Sequence, residues 1–84
     1  MVWLSMTNEL LSGRPVKRSL TLAGHRTSVS LEDIFWKSFR DIAARRGQPI
    51  NDLAREIDAQ RGDIGLASAI RVFVLKDLQS RSEE

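Results

Sequence analysis

The chain contains no cysteine, and its 84 residues include one histidine, His25. The missing cysteine excludes disulfides and thiolate metal sites, and it is compatible with a reducing cytoplasm. His25 has no clustered acids at metal-ligand spacing, and no nucleophile with an orienting carboxylate accompanies it. The sequence therefore predicts no catalytic residue, no metal site and no cofactor, and we interpret His25 as a turn residue.

Long hydrophobic runs and phosphate-binding glycine patterns are also missing. No apolar run approaches the roughly 20 residues of a membrane-spanning helix. Residues 1–6 lack the basic leader and long apolar core of a secretion signal. Neither the dinucleotide-binding glycine fingerprint nor a Walker motif is present. We therefore expect a cytoplasmic protein with no membrane partner and no enzymatic activity.

What the chain does contain fits one small globular domain. Hydrophobic residues make up 42% of it and charged residues 29%, which argues against disorder. A chain this short buries a modest share of its surface, so dimerisation would add core that the monomer lacks. Gly13 and Pro15 stop any early element. We predict a flexible N-terminal arm over residues 1–16, with a short helix at 6–12 as the alternative, and a domain over residues 17–80.

Positive charge is concentrated in the first half of the chain. Residues 1–46 hold eight lysines and arginines against four acids, whereas residues 47–84 hold five against seven. A basic surface attracts polyanions, of which nucleic acid is the commonest. Lopsided charge also serves solubility in small proteins, so charge alone favours the two interpretations about equally.

An alternating segment stands just before the first helical pattern. Side chains of a strand alternate between two faces, so this segment predicts a strand with one polar and one buried face. The two faces consist of Arg26, Ser28 and Ser30, and of Thr27, Val29 and Leu31. A strand needs a partner, and because the chain offers few candidates, the pattern points toward a dimer.

Residues 17–23 alternate too, with Leu20 and Leu22 on one side. Gly24-His25 then interrupts the pattern, and this dipeptide is not a favoured two-residue hairpin turn. The segment is therefore either an extra strand or an extended arm ahead of the main strand, and both interpretations stay open.

Three helical patterns follow. The first covers about 32–46 and ends at Gly47, ahead of Pro49, which fits the first turn of the second helix. The third covers about 66–80, and Ser80–Glu84 are expected to fray. Apolar residues at helical spacing carry these predictions: Phe35, Phe39, Ile42 and Ala43, then Ile50, Leu53, Ala54 and Ile57, then Leu66, Ala69, Ile70, Phe73, Val74 and Leu78. Val72 and Leu75 widen the third apolar arc, which predicts a buried helix at a subunit interface.

This order of elements resembles the MetJ/Arc-type ribbon-helix-helix family. The likeness is carried by Thr27-Ser28-Val29-Ser30-Leu31-Glu32, Phe35-Trp36, Phe39, Ile42-Ala43, Gly47 and Ile50-Asn51-Asp52-Leu53. The wider run from Lys17 to Glu32, together with Arg71-Val72-Phe73-Val74-Leu75, looks like a subgroup of short bacterial proteins with an extra C-terminal helix.

The resemblance implies a mainly α fold: a ribbon-helix-helix domain with a third helix, assembled as an intertwined homodimer through an intersubunit antiparallel ribbon. The dimer would bind double-stranded DNA by inserting this ribbon into the major groove, and the protein would act as a bacterial transcription regulator. Carried over by position, the base contacts are Arg26, Ser28 and Ser30. The phosphate-binding helix N-terminus of the family corresponds to Ile50 and Asn51, and Val29 and Leu31 would face the shared core. The basic residues Lys17 and Arg18 would also reach phosphates beside the ribbon. The apolar helical stripes complete the predicted dimer core with Phe35, Trp36, Phe39, Leu53, Ile57 and Phe73.

Each assignment has a simpler alternative. Arg26 would be a solvated strand arginine, and Ser30 would help to cap the first helix, with Asp33 three residues on. Lys17 and Arg18 would belong to a basic arm without ordered contacts. The alternative function is an antitoxin-like module that binds a protein partner through the third helix and the Trp3 arm.

Overall fold

A computed structural model describes residues 13–82 of the chain. Two strands precede three helices, in the order β1 Pro15–Leu22, β2 His25–Glu32, α1 Asp33–Arg45, α2 Ile50–Gln60 and α3 Leu66–Ser82. The predicted helix at 6–12, the Trp3 arm and most of the predicted arm over 1–16 lie outside the described residues. None of the helices within residues 13–82 combines the length and hydropathy that crossing a bilayer requires.

The two strands form an antiparallel hairpin within one chain, with Leu22 opposite His25. The loop consists of Ala23 and Gly24, at φ of 50° and 84°. Positive φ at both central residues is typical of a type I′ turn, whose twist matches that of the flanking strands. Residues 17–22 therefore belong to a strand rather than to an extended arm. Of the two interpretations that the sequence left open, the extra strand is the one observed, and β1 pairs with β2 in the same chain. The loop lies one residue earlier than the predicted interruption at Gly24-His25.

One face of the hairpin packs on the helices. The residues exposed by 3% or less include Leu20 and Leu31 from the strands, Trp36 and Phe39 from α1, Leu53 from α2 and Ile70 from α3. The Trp36 indole Nε1 also donates a hydrogen bond to the Val16 carbonyl at 2.8 Å, which joins α1 to β1. The hairpin is therefore held with its second face toward solvent.

α1 ends as its sequence predicts. Gly47, at φ 67°, donates to the Ala44 carbonyl at 3.0 Å, and Gln48 donates to the Ala43 carbonyl at 3.1 Å. This pair of bonds is a Schellman motif, which requires a left-handed residue where glycine stands. The alternative in which Ser30 helps to cap α1 is not observed. Glu32 is the N-cap residue, and it makes no side-chain capping bond.

The predicted helices are confirmed, with small shifts at their ends. α2 begins at Ile50 with Pro49 as its N-cap residue, one position later than predicted. α3 continues through Ser82, so the expected fraying from Ser80 is wrong for Ser80–Ser82. The Ser82 hydroxyl donates to the Leu78 carbonyl at 3.0 Å, which supports this last turn.

Candidate nucleic-acid interface

The solvent face of the hairpin carries three cross-strand pairs of polar residues. The register places Lys17 opposite Ser30, Ser19 opposite Ser28 and Thr21 opposite Arg26, and all six are exposed. Side chains on one face of a sheet alternate with those buried behind it, so the apolar packing of Leu20, Val29 and Leu31 turns these six outward. The face therefore offers two cations and four hydroxyls in two adjacent rows.

Glu32 is the one acid in the two strands, and its charge is already paired. Its carboxylate accepts from Arg71 Nε at 3.0 Å and Nη2 at 3.3 Å. The Arg71 hydrogen bonds lower the pKa of the Glu32 carboxyl, with the backbone of Glu32 adding to the effect. The polar face is consequently positive at neutral pH, with Lys17 and Arg26 as its cations.

Arg71 also holds α3 against the end of β2. Its Nη2 donates to the Ser30 carbonyl at 3.4 Å, and its guanidinium lies 5.7 Å from the Phe35 ring centroid. A guanidinium at this distance from an aromatic face makes a cation–π contact. One arginine of α3 thereby contacts the backbone of β2, the carboxylate of its last residue and the first turn of α1.

The start of α2 lies beside the outer edge of β1. Asn51 Oδ1 accepts a hydrogen bond from the Thr21 backbone N–H at 3.1 Å. Pro49 makes no side-chain capping bond, and the N–H groups of Ile50 and Asn51 have no acceptor within residues 13–82. The side chain of Asn51 is thus committed to β1, while two backbone donors at this helix end stay available.

The outer edge of β2 is unpaired along much of its length. The Thr21 N–H points away from β2, so Thr21 and Arg26 form a pair without cross-strand hydrogen bonds, and this pattern recurs at Ser19–Ser28. The backbone groups of Arg26 and Ser28 consequently point to the far side of β2. There, the described chain supplies no hydrogen-bond partner for them.

The register turns Arg18 toward the helices, away from Lys17. Its Nη2 lies 3.9 Å from Asp33 Oδ1, and both side chains are about half exposed. Its charge therefore lies on the opposite face from the six polar residues, and the predicted phosphate contact of Arg18 stays a prediction.

α1 and α3 are linked by Arg45. Its guanidinium donates hydrogen bonds to the carboxylates of Asp41 at 3.1 Å and Asp77 at 3.4 Å.

A protein-family comparison identifies the fold. The model of the ribbon-helix-helix domain matches residues 15–78, from the first residue of β1 well into α3, which is more than half of the chain. The chain belongs to the ribbon-helix-helix domain family. Neither the comparison with curated proteins nor that with solved structures returned a match.

Ribbon-helix-helix proteins are generally DNA-binding regulators that dimerise, and theirs is not an enzyme fold. The family match covers both strands and the first two helices in full, so the hairpin, including β1, belongs to the matched domain. The face of the hairpin described above is therefore the candidate nucleic-acid interface of this ribbon-helix-helix chain.

The residues predicted for the dimer core contribute to the core of the single chain. Six of the eight are buried in it, namely Val29, Leu31, Trp36, Phe39, Leu53 and Ile57. Phe35 and Phe73 are half-buried and pack against the same cluster. That a second ribbon-helix-helix chain shares this core stays a prediction.

Sequence reasoning assigned no functional role to Ser19, Thr21 or Arg71. Ser19 and Thr21 were detectable, because their alternation with Leu20 and Leu22 gives β1 the same polar face as β2. Arg71 carried no local signal, since its partner Glu32 lies 39 positions earlier.

Proposed function

We propose that this protein is a sequence-specific DNA-binding transcription regulator that acts as a homodimer. The observation that carries the proposal is the solvent face of the hairpin, where three polar pairs bear two positive charges and the single strand acid is neutralised by Arg71. A two-stranded ribbon fits the major groove of B-DNA, where each base pair presents a distinct pattern of donors and acceptors.

The free edge of β2 supports a dimer in which two copies of β2 pair antiparallel. The four strands would then run in the order β1, β2, β2, β1 about a two-fold axis, with the two copies of β2 as the central two-stranded ribbon. Strands lie about 4.8 Å apart, which puts β2 about 2.4 Å and β1 about 7 Å from the axis. The major groove is about 12 Å wide, so β2 falls within its half-width and β1 lies over its rim.

This geometry divides the six polar residues by role. Arg26, Ser28 and Ser30 of β2 face base edges, where an arginine donates to guanine O6 and N7, a contact that discriminates by about 1–3 kcal/mol. Lys17 of β1 lies over the rim, where phosphates stand. The free N–H groups of Ile50 and Asn51 are a second phosphate contact, since helix N-termini favour anions. The Asn51–Thr21 bond keeps that helix end beside β1.

Selection of bound sequences from random double-stranded DNA tests the proposal. A two-fold dimer is expected to select a palindromic consensus. If repeated selection enriches no sequence, the proposed function is wrong.

Two substitutions separate the base contact from the phosphate contact. Arg26→Ala is expected to weaken binding to the selected site by about 1–3 kcal/mol and to relax one position of the consensus. Lys17→Ala is expected to weaken binding to all sequences and to lower the slope of log affinity against log salt by about 1 per chain. The matched controls are Arg40→Ala and Lys76→Ala, which remove exposed cations from α1 and α3. Equal effects of Arg26→Ala and Arg40→Ala would contradict base contact through the hairpin face.

A further inference from the structure

An apolar groove lies between α1 and α3. Ile34 and Phe35 form one wall, Val72, Leu75 and Leu78 form the other, and the groove encloses about 360 Å³. Four of these five side chains rank among the exposed large hydrophobics, at 47% to 60% exposure. A contiguous exposed apolar surface of this kind marks an interaction site more often than scattered single residues do.

α3 is apolar on two sides, unlike α1 and α2. Ala69, Ile70 and Val74 are buried against the chain's own core, whereas Val72, Leu75 and Leu78 face outward. An apolar stripe on a helix normally faces a packing partner rather than water. The single chain therefore supplies only one of the two surfaces that this helix requires.

The groove adjoins the unpaired edge of β2. Arg71 lines the groove and also donates to the Ser30 carbonyl on the outer side of β2. A second copy that adds its β2 to this edge brings its own α3 to the same side of the molecule. One two-fold axis then serves the strand edge and the groove together.

The outward stripe of α3 is suited to packing against itself. Val72, Leu75 and Leu78 are spaced by three residues and carry no charge, so a two-fold contact between two such stripes creates no like-charge repulsion. About a central Leu75, antiparallel packing sets Val72 of one copy beside Leu78 of the other.

We infer that the groove between α1 and α3 is occupied by α3 of a second copy, with Leu75 at the two-fold axis. The inference rests on the homodimer of the proposed function and assigns it a second surface besides the β2 edge. The extra helix thus adds apolar burial that strand pairing alone does not provide.

Leu75→Glu in the full chain tests the inference by sedimentation equilibrium. Leu75 is already 52% exposed in the single chain, so the variant is expected to fold, which circular dichroism checks. We expect the dimer dissociation constant to rise at least about 30-fold, the effect of removing a central interface residue. Ile64→Glu, at a 46% exposed residue outside the groove, is expected to leave it unchanged. A monomeric wild-type chain, or a Leu75→Glu variant with the wild-type dissociation constant, would overturn the inference.

Cross-linking locates the axis. Because the chain lacks cysteine, Leu75→Cys introduces a single thiol, which a short bismaleimide is expected to join to its counterpart. Ile64→Cys is the control and is expected to stay uncoupled. Absence of a Leu75→Cys cross-link in a dimeric sample would show that another surface makes the dimer.

The outcomes distinguish this inference from the proposed function. A dimer that depends on Leu75, in a chain that selects no DNA sequence, keeps the groove assignment and removes the regulator. Sequence-specific binding by a protein whose dimer ignores Leu75→Glu keeps the regulator and removes the groove assignment. If Trp3→Ala weakens the dimer while Leu75→Glu does not, the N-terminal segment makes the contact and the inference fails.

Discussion

Ala23 adopts a left-handed backbone conformation, φ 50°, in the turn that it forms with Gly24. An L residue with a Cβ is strained there by roughly 1–2 kcal/mol, because Cβ approaches the following carbonyl oxygen. The turn sets the register of both strands, so it decides that Lys17 faces Ser30 and that Thr21 faces Arg26. The cross-strand pairing of the polar face therefore depends on a turn that contains one strained residue.

Asparagine at this position should relieve the strain. Asn tolerates the left-handed region, and Asn-Gly is the preferred type I′ dipeptide. We expect Ala23→Asn to raise the free energy of unfolding by about 0.5–1 kcal/mol, measured by urea denaturation. Ala23→Val, with a β-branched side chain, is expected to lower it. A destabilised Ala23→Asn chain would contradict the type I′ turn.

At the scale of elements, Arg71 couples α3 to β2. Three of its hydrogen bonds reach Glu32 and the Ser30 carbonyl, and both groups stand where the strand passes into α1. The same arginine lines the apolar groove. The position of α3 and the end of the polar face are therefore tied to one guanidinium.

This ion pair gives stability a predictable pH dependence. The folded-state pKa of the Glu32 carboxyl lies below its ordinary value of 4.5, mainly because of Arg71. Its contribution is therefore present in full above that ordinary value and is lost as pH falls through the lowered one. We expect Glu32→Gln to destabilise the chain at pH 7 and the difference from wild type to shrink toward pH 3.

Urea unfolding at a series of pH values measures this difference. The control Asp63→Asn removes an exposed carboxylate from the loop before α3. A destabilisation by Glu32→Gln that is the same at pH 7 and pH 3 would show that Arg71 does not act through the charge of Glu32.

At the scale of the whole molecule, two features favour the proposed association with a second copy. The backbone groups of Arg26 and Ser28 on the β2 edge have no partner in the described chain, and Val72, Leu75 and Leu78 expose apolar surface beside that edge. Exposed strand edges and apolar grooves both favour association, and here they lie on one side.

Association of this kind makes thermal stability depend on concentration. Binding that is restricted to the folded state stabilises it by mass action. We expect the Tm of the wild-type chain to rise by roughly 2–5 °C for each tenfold increase in protein concentration. The Tm of Leu75→Glu should lie below that of the wild-type chain at equal concentration, because less of the folded variant is dimeric. A wild-type Tm that does not vary with concentration would contradict the dimer.

Local patterns in the sequence were enough for the helices and for the polar face of β2. Period-3.6 stripes, Gly47 and Pro49 placed the end of α1 and the start of α2 to within one residue, because capping and proline geometry act within a few residues. Alternation from Arg26 to Leu31 likewise determined which side chains of β2 share a face, since that depends only on backbone geometry.

The tertiary structure alone decided the partner of β2 and the roles of the distant polar residues. Ala23 carries no turn signal of its own, so the alternation of residues 17–23 fitted either a strand or an extended arm, and the pairing of β1 with β2 decided between them. Asn51 meets Thr21 across 30 positions, and Arg71 meets Glu32 across 39. Contacts over such separations depend on how the elements pack, which no local pattern of residues encodes.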